Sequence, residues 1–84
     1  MFVKVKSSVF IDALRLQFFA PVGQSLRGIL RDDSGIICRT MEKKIHKEKE
    51  ELTWEGLNDL PYGRYTLELT HGEDQMKMDL VKRI

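Results

Sequence analysis

Apolar residues recur at every second position through most of the chain, the period of a strand with one buried face. Val3 and Val5 alternate with Lys4 and Lys6. Leu14, Leu16 and Phe18 alternate with Arg15 and Gln17 until Ala20-Pro21, where the proline ring removes a backbone donor. Leu26, Gly28 and Leu30 alternate with Arg27 and Arg31 and run into Asp32-Asp33-Ser34-Gly35, side chains that favour a turn followed by a glycine that tolerates positive φ. This is a hairpin signal, with the returning strand predicted over residues 36–41. Leu52 and Trp54 alternate with Thr53 and Glu55. Tyr65, Leu67 and Leu69 alternate with Arg64, Thr66, Glu68 and Thr70, and Met76, Met78 and Leu80 repeat the pattern after turn residues 71–74. These segments predict an all-β domain: a seven-stranded antiparallel β-sandwich of two sheets packed face to face, with a barrel as the alternative.

Residues 42–51 break the alternation. Eight of these ten are charged, four Lys and four Glu, and a helix here would have only Ile45 to bury. The run reads as a solvated crossing between sheets, or as a ragged edge strand whose lysines discourage pairing with another chain.

With 84 residues there is room for a single domain, residues 1–84, and for a thin core dominated by its largest side chains. Trp54, Phe10, Phe18, Phe19, Tyr62 and Tyr65 are the expected anchors. Fourteen basic against thirteen acidic residues give a formal charge of +1, so no bulk field draws nucleic acid or an anionic bilayer. The basic residues are scattered, and no nucleic-acid partner is expected. The opening MFVKVKSSVF lacks the apolar run of a secretory signal, and residues 16–26, the longest uncharged stretch, are too short and too polar to span a membrane. Cys38 is the sole cysteine, so no internal disulfide forms.

Candidate chemistry is sparse. His46 and His71 fall in polar turns, without a second His or Cys at metal-ligand spacing, and read as solvated imidazoles. Cys38 lies in an apolar strand beside Ile36 and Ile37 and reads as a buried, inert thiol. Asp32-Asp33-Ser34-Gly35 lacks the further acids of a dedicated calcium loop and reads as a turn, with a weak site shared with Asp59 or Asp74 as the alternative. No phosphate-binding glycine loop or Gly-x-Ser-x-Gly elbow is present. No catalytic residue, cofactor or metal is expected, and the chain is not expected to be an enzyme.

Trp54 offers the largest apolar area of any side chain here, a natural plug between sheets. Pro61 presets φ and Gly63 permits a reversed turn, so Tyr65 starts its strand at a fixed angle, with its hydroxyl placed to bond back to the turn as in a tyrosine corner.

The stretch LTWEGLNDLPYGRYTLEL at residues 52–69 resembles the carboxy-terminal sorting domain of bacterial type IX secretion substrates, small immunoglobulin- or fibronectin III-like β-sandwiches at the ends of secreted proteins in the Bacteroidetes. The likeness rests on Trp54, Gly56, Pro61, Gly63 and Tyr65. It is extended by the proline after Phe18, the Asp32 to Gly35 turn, the strand of Ile37, Cys38 and Met41, and the basic and aliphatic final segment, although Gly28 leaves an inward strand position without a side chain. The resemblance implies a non-enzymatic protein-recognition module whose partner is the export and cell-surface attachment machinery. Its recognition strand would be Met76, Lys77, Met78, Leu80, Lys82 and Arg83, with main-chain groups giving affinity and Lys77, Lys82 and Arg83 giving orientation. The alternative is a stand-alone immunoglobulin-like structural or adhesion module, which exposure of Phe10, Phe19 or Tyr62 would favour. The expected location is the cell surface or the medium if the chain belongs to a larger exported protein, and the cytoplasm otherwise.

Overall fold

The alternating segments become strands in the computed structural model, which describes residues 2–84; Met1, at the head of the segment weighed as a secretory signal, lies outside the described residues. Eight strands and no helix are present among the described residues: β1 (Phe2–Val5), β2 (Val9–Phe10), β3 (Leu14–Phe19), β4 (Ser25–Asp32), β5 (Ile37–Lys44), β6 (Lys49–Trp54), β7 (Gly63–His71) and β8 (Asp74–Lys82). They form a three-stranded sheet in the order β1-β3-β6 and a five-stranded sheet in the order β2-β8-β7-β4-β5. The fold is all-β and sandwich-like. The expected count was seven, and the additional strand is β2, whose two residues are too few to show a period. β2 also departs from the expected antiparallel pattern: Val9 and Phe10 run parallel to Val81 and Lys82.

Period two sorts the core. The three-stranded sheet buries Val3, Leu14, Leu16 and Phe18; the five-stranded sheet buries Leu26, Leu30, Tyr65, Leu67, Leu69 and Leu80. Trp54, at the end of β6, is 9% exposed and reaches the opposite sheet at Gly28 of β4, where a Cβ would stand 3.3 Å from its Cζ3. The missing side chain of Gly28 is therefore the space that the indole and the Met41 side chain fill. Three residues from connecting loops, Ile45, Leu57 and Leu60, close the core. Leu57 is tied down by its amide donating to the carbonyl of Asp12 at 3.0 Å.

Several expectations are corrected. Phe10, Phe18, Trp54 and Tyr65 are buried anchors, but Phe19 and Tyr62 are 38% and 72% exposed. Phe19 follows the buried Phe18 on β3 and so takes the opposite face, where Lys49 Nζ lies 5.6 Å from its ring centroid. For the charged run over residues 42–51 the edge-strand alternative holds over most of its length: β5 extends to Lys44 and β6 starts at Lys49, leaving only residues 45–48 to cross, with Ile45 buried. Both are edge strands. Their charges bridge that flank of the sandwich, as in the pair Lys43–Glu50 at 3.8 Å.

His71 is not in an exposed turn. It ends β7, whose inward residues are Tyr65, Leu67 and Leu69, and the same parity carries the imidazole inside, to 4% exposure, with Nε2 unpaired. Cys38 is half-buried rather than buried. Leu30 pairs with Arg39 and Arg31 with Ile37, so Cys38 is the extra residue of a bulge, where the simple rule of opposite faces fails.

Candidate functional site

The segment singled out for recognition is β8, and its neighbours define what it can offer. On one side it pairs with β7 along its whole length, from Gly63 opposite Lys82 to His71 opposite Asp74. On the other side only its last residues are paired: the amides of Val81 and Arg83 donate to the carbonyls of Ser8 and Phe10 at 2.8 and 2.9 Å. In an antiparallel ladder successive residues direct their backbone groups to alternate sides. Because Val81 and Arg83 point away from β7, so do Gln75, Lys77 and Asp79, and no strand among the described residues pairs with them. The result is an open edge leading up to β2.

Side chains divide by the same parity. Met76 and Met78 are half-buried against the core and Leu80 is fully inside. Lys77 and Arg83 are exposed. Lys77 Nζ lies 3.9 Å from Glu68 Oε1, but that oxygen is more closely held by Arg31 Nε at 3.0 Å, so the lysine is only loosely engaged. Pairs this exposed are worth at most about 1 kcal/mol. Lys82 does not display a charge. It shares the inward parity of Leu80, is 4% exposed, and donates from Nζ to the Arg83 carbonyl at 2.8 Å. The residues whose main chain faces the open edge are thus Gln75, Lys77 and Asp79, of which the sequence reading named only Lys77. Parity with Lys77 was the available signal.

Trp54, Gly56, Pro61, Gly63 and Tyr65 lie in and around the β6–β7 loop. Gly56 and Gly63, at φ 79° and 141°, adopt backbone conformations that a side chain would strain on either side of the β6–β7 loop. Pro61 lies in that loop, and the Tyr65 hydroxyl donates to its carbonyl at 2.6 Å, closing a tyrosine corner at the start of β7. The Tyr65 ring meets Phe10 edge to face, with centroids 5.9 Å apart, and so joins the corner to β2. Burial holds the Tyr65 phenol above its ordinary value near 10; Cys38 and Asp32 push the same way and Arg39 opposes them.

The remaining candidates are placed as follows. Asp32 Oδ1 accepts the amides of Ser34 and Ile36, each at 2.9 Å, which accounts for the turn in terms of local hydrogen bonding. Asp59 is gripped by Arg39, whose Nη2 lies 2.7 Å from both carboxylate oxygens. His46 is exposed. Among the described residues no three His, Cys, Asp or Glu side chains gather as a metal site, and no helix is long and apolar enough to cross a membrane. The buried leucines of the β6–β7 loop, Leu57 and Leu60, had no periodic signal to reveal them. No family model matches this sequence, and neither does any curated protein.

Proposed function

We propose that the chain is a non-enzymatic recognition module with an immunoglobulin-like sandwich, and that its partner adds an extended segment to the open edge of β8. The observation that carries this reading is the outward set of backbone groups at Gln75, Lys77 and Asp79, flanked by the exposed charges of Lys77 and Arg83. Three features favour the immunoglobulin-like type. The first strand is divided between the sheets as β1 and β2; β8, β7 and β4 are neighbours opposite β1, β3 and β6; and the tyrosine corner opens β7. The resemblance over residues 52–69 makes the partner the type IX export and attachment machinery, acting on a larger exported chain at the cell surface.

The test is export of a cargo carrying this module in a bacterium that has that machinery. Lys77→Pro removes an outward amide without touching the β7 ladder, and Lys77→Glu with Arg83→Glu reverses the edge charges. Export should fall in both while circular dichroism and melting remain near those of the parent. Unchanged export in both discards the sorting role.

The exposure of Tyr62 and Phe19 favours a second reading, a stand-alone structural or adhesion module that packs against a neighbouring domain. Under it, Tyr62→Ser weakens that contact and Lys77→Pro does not.

A further inference from the structure

Beyond the open edge, one buried charge has no counter-charge. Lys82 lies at the end of β8 between Phe10 of β2 and Gly63 of β7. The lysine takes an inward position that at Met76, Met78 and Leu80 of the same strand is apolar. The residue is 4% exposed, yet its Nζ has one partner, the Arg83 carbonyl at 2.8 Å. An ammonium has three hydrogens to donate, so it can take two acceptors beyond this carbonyl. No carboxylate among the described residues forms an ion pair with it. Taking a cation out of water is costly unless an anion or several acceptors replace the lost hydration.

The space beside it suits such an anion. A cleft of about 430 Å³ is lined by Tyr62, Gly63, Val81, Lys82, Arg83 and Ile84. Tyr62 and Ile84 are the most exposed large apolar residues described, at 72% and 91%, and with Val81 they give the cleft apolar walls; Arg83 adds a second cation. Its size lies within the range of small-molecule sites. One ammonium, one guanidinium and apolar walls match an anion attached to a hydrocarbon group, as in an organic carboxylate.

We infer that the cleft between Tyr62 and the end of β8 binds an organic carboxylate, with Lys82 holding the carboxylate and Tyr62, Val81 and Ile84 holding its apolar chain. The carboxylate belongs either to a free acid or to the carboxy-terminal end of a peptide. This inference is independent of the β8 edge.

The experiment uses the full chain labelled with ¹³C at lysine Cε. It is titrated with hexanoate and hexanamide, and with an acetylated leucine-terminated tripeptide as free acid and as amide. The Lys82 resonance should shift saturably with at least one acid and with neither amide; hexanoate alone responding assigns a free acid, and the peptide alone assigns a chain end. Lys82→Met, which keeps the stem, should weaken binding roughly 10- to 100-fold, the worth of a charge-assisted hydrogen bond. No saturable shift with either acid at millimolar concentration, or equal response to acid and amide, overturns the assignment. The acid–amide comparison is made on the parent protein, so it decides the matter even where the variant fails to fold.

Discussion

The indole of Trp54 packs from one sheet directly onto the backbone of Gly28 in the other: a Cβ on Gly28 would lie 3.3 Å from Trp54 Cζ3 and 2.9 Å from Met41 Cγ and Sδ. Gly28→Ala should therefore overpack the core. Methionine is flexible and yields first, so we expect a net loss of about 1 to 2 kcal/mol rather than collapse, read as a lower urea midpoint with an unchanged slope. Adding Met41→Ala should recover part of that loss, and no recovery would show that the strain falls on the indole alone.

Trp54→Ala removes the other half of the same contact. The cavity should cost about 3 to 5 kcal/mol, a large share of the stability of so small a domain. A variant melting within a degree or two of the parent would remove Trp54 from its role as the plug between sheets.

Tyr65→Phe deletes the hydroxyl that bonds Pro61 and should cost about 1 kcal/mol near neutral pH. Its second effect is on pH dependence. The folded state holds the Tyr65 proton more tightly than the unfolded chain, so this contribution is fully present below about pH 10 and is lost as pH rises through the folded value. Above about pH 10 the parent should lose more stability than Tyr65→Phe, measured as the difference in urea midpoints; parallel curves would contradict it.

His71 presents an unpaired Nε2 to the interior. Replacing an unsatisfied buried group with an apolar one of similar size is neutral or favourable, so His71→Leu should melt at or above the parent temperature, by up to about 1 kcal/mol. A marked loss would mean that Nε2 has a water partner worth keeping.

The two sides of β8 separate in a proline scan. Met78 directs its backbone toward β7 and Lys77 away from it. Met78→Pro should cost about 3 kcal/mol or more and Lys77→Pro much less. Equal costs would contradict the assigned parity.

Alternation made six of the seven longer strands legible, because each has one face in the core, while β5 was placed by the turn that precedes it. It also placed the Asp32 to Gly35 turn and the Tyr65 corner. It gave no view of β2, which is two residues long, or of Leu57 and Leu60, which are buried from a loop. His71 and Lys82 were read from their chemistry as surface groups, yet parity along β7 and β8 carries both inside. On β8 the side chains did not disclose that the backbone groups of Gln75, Lys77 and Asp79 face outward, since side-chain type carries no information on which way a strand's amides point. Phe19 and Tyr62 failed as anchors for a related reason: aromatic area favours burial only where the local face points to the core.

The short parallel clasp of β2 on Val81 and Lys82 limits which chains can share the rim of β8. If two copies met antiparallel in the register that sets Lys77 against Asp79, Gln75 would have to occupy the place opposite Val81 that the Ser8 carbonyl already holds. The registers one step to either side oppose Lys77 to itself or Asp79 to itself. Antiparallel pairing of two copies centred on this rim is thus obstructed in one register and repelled in the two beside it, which favours an unlike chain there.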